Sequence, residues 1–378
     1  MVREYTFVNL FRAIAAFWVL SEHCMVWGGW YGIPIPPAKI AVDLFMIISG
    51  FLMAANAEAR NTFEPLSTAR NRTRFWLRRY FRIAPAYYLS LALAVLIGSF
   101  FLGGYQELQK LNPAQWPAGS VYDPARFEYS PRNILLHVSF LFGLHPTHSF
   151  STFLPDWSLS LEMQFYAAFP FLYLAMRRFG CVKSALVIGL PVFALGLVIS
   201  SRVFYYEPSL LLFKLNFFLA GMVLHRALTG NERGMRRFAL AAAALLLVSL
   251  DRRYGSYGVV PPLLLLGMLA LGRWEETGRT PAWISWVINS RLVRFASDTS
   301  YGVYLFHGFL ISSTGWIIAG NDRLLALTPP SRVLFMFVYV TALAYPLAWL
   351  VYRWVELPGI RLGKRVIERV APPADRAG

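Results

Sequence analysis

The chain has 378 residues, 57% of them hydrophobic and 15% charged, with a formal net charge of +16. Soluble globular chains carry roughly 25% charged residues, so this one lacks the polar surface needed to face water on every side. The excess of Lys and Arg lies in loops between apolar blocks, not on a basic helix or an aromatic–basic repeat, which argues against nucleic acid and for the cytoplasmic face of a bilayer.

The apolar blocks come at the length that crosses a hydrocarbon core of about 30 Å. In chain order they are 6–28, 41–56, 83–103, 157–176, 183–200, 208–226, 237–251, 258–272, 299–319 and 332–353. The expectation is an all-α integral membrane protein of about ten transmembrane helices. Arg12 inside the first block, Glu22 and His23 near its end and the lack of a small-residue cleavage site argue that this block stays as the first helix and is not a signal peptide. The segment 133–145 is apolar but short and is read as a re-entrant or interfacial piece.

Arginines 60, 70, 72, 74, 78, 79 and 82, the loops at 177–183 and 225–237, and a tail with Arg361, Lys364 and Arg365 then share one side. That arrangement puts both termini in the cytoplasm; Arg252 and Arg253, in an external loop, run against it. No linker divides the chain, so 1–358 is read as one membrane domain and 359–378 as a short basic cytoplasmic tail. Cys24 and Cys181 exclude a disulfide framework. No His, Cys or carboxylate grouping has metal-ligand spacing, and no metal is expected.

Ionisable groups inside membrane helices are costly unless paired or hydrated, so each is a functional candidate. Arg12 and His23, eleven residues apart, differ by about 20° around a helix axis and lie about 16 Å apart along it. They face one channel at two depths. Snorkelling of Arg12 to the interface and an interfacial hydrogen bond for His23 are the alternatives.

This Arg-x10-His pair resembles the signature of the acyltransferase-3 family of membrane acyltransferases. VDLFMIISGFLM (42–53), RRYFRIAPAYYLSL (78–91), DWSLSLEMQFYAAFP (156–170), TSYGVYLFH (299–307) and YRWVELP (352–358) resemble further family segments in family order. Ala41, Met46, Met163 and Leu357 stand where Gly, Phe, an acidic residue and Arg are common. The likeness is to short, single-domain members. It implies a bacterial inner-membrane enzyme that moves an acetyl or other short acyl group from cytoplasmic acyl-coenzyme A to an outer hydroxyl. The acceptor implied is a glycan, lipid-linked saccharide or other alcohol; no bound cofactor is implied.

Such a transfer needs a base for the hydroxyl and a grip on the donor. His23 is the expected general base, since an imidazole both takes and returns a proton near neutrality. Glu162, expected at a similar depth, would orient it; a carboxylate stabilised near a helix N-terminus is the alternative. Asp43 competes for that role, with an N-cap as its alternative. Glu22 is set aside because it points about 100° from His23 on a helix. Arg79 and Arg82, three apart, share a face that suits the phosphates of coenzyme A, with Arg78 beside them in the same segment. Arg12 would contact the donor's pyrophosphate or pantetheine arm, or polarise the thioester carbonyl. His307 is grouped with the donor site, a helix-packing bond to Ser or Tyr being its alternative. Arg353 and Glu356, one turn apart, read as a structural pair. Membrane lipids are the remaining partner expected. A proton-coupled transporter or flippase using the same buried polar groups is the rival function; its mark would be inverted repeats, and none is visible.

Overall fold

A computed structural model describes residues 4–113, 115–116, 127–230, 232–248 and 252–372. The end of the expected block 237–251 and the last six residues of the tail lie outside the described residues. The described residues form helices and no strand. They are α1 (Thr6–Gly28), α2 (Ala38–Arg60), α3 (Ala69–Leu111), α4 (Pro131–Val138), α5 (Trp157–Phe179), α6 (Cys181–Arg202) and α7 (Leu211–Thr229). They continue with α8 (Glu232–Val248), α9 (Val260–Thr277), α10 (Ala282–Ile288), α11 (Arg291–Ala319), α12 (Asp322–Leu325), α13 (Pro329–Val351) and α14 (Leu357–Val370).

Each expected apolar block falls on a helix, and 8 of the described helices are long and apolar enough to cross a membrane. Two blocks fall short: α5 is diluted by polar side chains, and the described part of α8 is 17 residues long. The segment 133–145 forms α4 and a single 3-10 turn at Phe142–Leu144. Eight residues of helix rise only about 12 Å, too little to span. The 43-residue α3 is longer than any bilayer core requires. It bends at Ile97, whose backbone leaves helical geometry.

The centre is built by α1, α2, α3, α5, α7 and α11, and the large exposed aliphatic side chains sit outside it, for example Val187, Leu197 and Val198 on α6 and Leu334 and Val338 on α13. That apolar exterior is what a lipid-facing bundle presents; this is a multi-pass membrane protein. Between helices in lipid, small residues let backbones approach closely. A Cβ on Gly221 of α7 would lie 2.0 Å from the Ile47 carbonyl oxygen of α2, and one on Gly50 would lie 2.0 Å from that of Phe218. Gly104 of α3 and Gly315 of α11 meet in the same way. We expect Gly221→Val to destabilise the protein by about 3 kcal/mol or more, since overpacking against backbone has no flexible partner to move. A lowered unfolding midpoint in detergent measures it; an unchanged midpoint would mean that the α2–α7 contact is not tight.

The depth of α1 is fixed at its start. Glu275 of α9 accepts from the Thr6 and Phe7 backbone N–H groups, both at 3.1 Å, capping the helix in place of a local residue. Three rungs then tie α1 to α11: Asn9 to Ser297, Arg12 to Ser300 and His23 to His307. Both members rise in number together, so the two helices run parallel.

Candidate active site

Two cavities open between the central helices. The first, about 180 Å³, is lined by Arg12, Arg79, Arg82, Glu162, Tyr166 and Ser300 together with apolar side chains of α2. The second, about 350 Å³, is lined by His23, His307, Glu22, Trp27, Trp116 and Trp157 among other aromatic residues. Arg12 and His23 thus lie along one stripe of α1 at two depths, as their spacing predicts, but they face two separate chambers and not one channel.

Three guanidinium groups and one carboxylate, Glu162, line the first chamber, a lining that favours an anion. Arg12 Nη2 donates to Ser300 Oγ at 3.0 Å, and Arg82 Nη1 lies 2.9 Å from Glu356 Oε2. Arg79 lies over the rings of Phe75 and Tyr166, and its buried Nε has no hydrogen-bond partner. A buried donor left unmet is costly, so this fork is ready for an anionic oxygen. Arg79 and Arg82 share this chamber as their three-residue spacing requires.

The second chamber centres on two imidazoles. His23 Nδ1 and His307 Nε2 are 2.8 Å apart. His307 Nδ1 faces the main-chain carbonyls of Tyr304 at 2.8 Å and Val303 at 3.1 Å. A carbonyl only accepts, so with a neutral pair the His307 proton sits on Nδ1 and its Nε2 carries a lone pair. His23 must then donate from Nδ1, which leaves the lone pair of His23 Nε2 free. That atom lies 3.8 Å from Glu22 Oε2. The result is an imidazole held in one tautomer, with a carboxylate beside its open nitrogen.

The walls of this chamber are aromatic. Trp27 and Trp116 stack at 4.4 Å between ring centroids with 6° between planes. Its roof is pinned by a buried network: Tyr87 donates to Asp156 Oδ2 at 2.9 Å, and His137 reaches Asp156 Oδ2 at 3.0 Å and Ser151 Oγ at 3.1 Å. This ties α4 to the start of α5 and fixes Pro155 and Trp157 at the cavity.

Several sequence expectations are placed differently. Glu162 lies in the arginine chamber, where it accepts from Ser49 Oγ at 2.8 Å and from Tyr166. The start of α5 passes from one chamber to the other within a turn: Pro155 and Trp157 line the second, Ser158 and Glu162 the first. Glu162 is therefore past the level of His23 and does not orient it. Asp43 is neither an N-cap nor a partner of His23; it forms a buried ion pair with Lys214 of α7 at 2.9 Å. His307 belongs with His23 and not with the arginines. Glu22, set aside by its 100° offset, lines the His23 chamber, because a long side chain reaches across that angle. Glu356 pairs with Arg82 and not with Arg353, since the π-helical turn Tyr352–Glu356 shifts the register and buries the carboxylate against α3.

Arg78 is also elsewhere. With Arg60 and Arg74 it surrounds Glu64, in the loop between α2 and α3, at 2.9, 3.1 and 2.6 Å respectively. Burial pushes the Glu64 carboxyl up, but Arg78 and Arg74 outweigh it and hold it below the ordinary carboxylate range. A depressed carboxylate contributes stability above its unfolded value of about 4.3 and loses it as pH falls through the folded value. Glu64→Gln should cost about 1.5–3 kcal/mol at neutral pH. The cost should vanish in acid; an equal loss at every pH would remove the charge network as the cause.

An acyltransferase domain family model matches residues 5–349. Acyltransferase MdmB of Streptomyces mycarofaciens is 30% identical over 37% of this chain and 30% of its own length. Peptidoglycan O-acetyltransferase OatA of Listeria monocytogenes is 23% identical over 92% of this chain and 54% of its own. The chain thus spans from under a third to about half the length of these two relatives. Exopolysaccharide production protein ExoZ of Rhizobium meliloti is 26% identical over 85% of this chain and 90% of its own. No solved structure matches.

Proposed function

The chain belongs to the acyltransferase-3 family, and on that premise we propose that it transfers an acetyl or other short acyl group from acyl-coenzyme A in the arginine chamber to a glycan hydroxyl in the His23 chamber. The observation that carries this reading is the pairing of a tautomer-fixed base, His23 Nε2, with a separate anion site at Arg12, Arg79 and Arg82.

The donor's phosphates sit on Arg79 and Arg82, whose forks match phosphate oxygens. Arg12, deeper on α1, holds the arm that carries the thioester towards His23. In the second chamber the acceptor's sugar ring packs on the aromatic walls, as apolar sugar faces do against aromatic rings. The acceptor hydroxyl gives its proton to His23 Nε2 as its oxygen attacks the thioester carbonyl carbon. The tetrahedral intermediate then collapses, the carbon–sulfur bond breaks, and the departing thiolate takes the proton back from His23. His307 keeps the imidazole in the required tautomer throughout, and Glu22 stabilises the imidazolium. Relatives named for peptidoglycan and exopolysaccharide support a saccharide acceptor. The basic loops support an orientation with the arginine chamber towards the cytoplasm of a bacterial inner membrane, held also by anionic lipids.

The test is transfer from labelled acetyl-coenzyme A to an added glycan by purified protein in nanodiscs. Wild type should label the glycan. Arg79→Ala should raise the donor KM by about 10- to 100-fold, the worth of a charge-assisted contact, and leave the acceptor KM near wild type. A change confined to the acceptor KM would move the donor out of the arginine chamber.

A further inference from the structure

Donor and acceptor chambers must communicate during transfer, yet in the structure they are separate. Among the described residues Tyr304 alone borders both. Its ring is buried and meets Phe45, which lines the arginine chamber, edge to face at 6.3 Å. Its hydroxyl bridges two walls. It donates to the main-chain carbonyl of Pro155, which lines the His23 chamber, and lies 2.8 Å from Ser158 Oγ, which lines the arginine chamber. Both are neutral hydrogen bonds to the segment that begins α5, and neither locks the ring as an ion pair would.

We propose that Tyr304 is the partition between the two chambers, and that its latch on Pro155 and Ser158 sets which acyl chains cross and keeps water of the His23 chamber from the thioester. This rests on the proposed acyl-coenzyme A reading. A donor arm running along α1 from Arg12 to His23 has to displace the Tyr304 ring. With the displaced ring packed against the arm in the gap, only a small acyl group fits beside an acceptor. When the ring is absent, water in the second chamber reaches the thioester, adds to its carbonyl carbon and releases the free acid and the thiol. The main-chain carbonyl of Tyr304, which holds His307 Nδ1, survives any substitution of the side chain, so the imidazole pair keeps its partner.

Three variants test this: Tyr304→Phe, which keeps the ring and removes the latch; Tyr304→Ala, which removes both; and Ser158→Ala, which removes one latch partner. Two ratios are read: acid released to acyl transferred, and kcat/KM for hexanoyl- against acetyl-coenzyme A. Tyr304→Phe and Ser158→Ala should raise the first ratio by roughly three- to tenfold, the range that one neutral hydrogen bond commands. Tyr304→Ala should raise it further and shift the second ratio towards hexanoyl by about tenfold or more, since each methylene newly accommodated counts for that much. Folded variants in which hydrolysis and transfer fall in proportion, with the chain-length preference unchanged, overturn the partition. If Tyr304→Ala fails to fold, the other two variants decide by the first ratio. Wild type that turns over no thioester overturns the donor reading and this proposal with it; wild-type turnover with unchanged ratios in the variants overturns the partition alone.

Discussion

His23→Ala is expected to lower kcat for acyl transfer by about 10²–10⁴-fold, the contribution of a positioned general base. The lone pair of His23 Nε2 is the one that the hydrogen-bond chain from the Tyr304 carbonyl through His307 leaves open. No substituted side chain at that position would be held in the same tautomer. Donor KM should change little, because the phosphate-binding arginines line a different cavity. His23→Asn, which keeps hydrogen-bonding capacity but has no basic nitrogen, should be as inactive as the alanine variant. Steady-state kinetics with labelled acetyl-coenzyme A measures both parameters. Activity kept by His23→Asn would mean that His23 binds the acceptor and does not take its proton.

The second large effect belongs to His307. Its Nε2 is the only acceptor that the structure gives His23 Nδ1 among the described residues. His307→Phe should cost about 10²-fold or more in kcat, as loss of a base's orienting partner does when the imidazole is free to take the wrong tautomer. The rings stack at 5.1 Å, so phenylalanine preserves much of the packing and the loss reports the hydrogen bond. His307→Gln, whose side-chain oxygen accepts at a similar reach, should restore part of the rate. Equal rates in His307→Phe and His307→Gln would show that packing, not proton placement, is what His307 supplies. A rise in donor KM with kcat unchanged would instead place His307 with the donor, as the sequence suggests.

The helices were legible because twenty apolar residues in a row admit few other structures in lipid. The Arg12–His23 stripe was legible for a similar reason: one regular helix fixes both azimuth and depth. What sequence could not supply was pairing between helices. Asp43 and Glu162 looked equivalent on depth alone, but Lys214 on α7 claims the first and Ser49 and Tyr166 hold the second. Among the seven arginines at 60–82, Arg78, Arg79 and Arg82 read as one donor site in the sequence; Glu64, in the loop between α2 and α3, draws Arg78 away together with Arg60 and Arg74 and leaves Arg79 and Arg82 on the first chamber. A single carboxylate amid that run was the available signal. The His23–His307 pair joins residues 284 apart, and only the parallel packing of α1 on α11 brings them together. Tyr304 carried a signal of its own, three residues before His307 and so on the same helical face, but nothing in the sequence shows that a wall lies there.

The central claim is that donor and acceptor occupy different chambers and that His23, in the second, takes the acceptor's proton. It is tested most directly in proteoliposomes of uniform orientation, with labelled acetyl-coenzyme A confined to the face that the arginine chamber opens towards and glycan confined to the other. The expected result is label on the glycan with wild type and none with His23→Ala, while donor binding is retained in both. Transfer that requires donor and glycan on the same face, or that proceeds equally in the two proteins, would contradict the account.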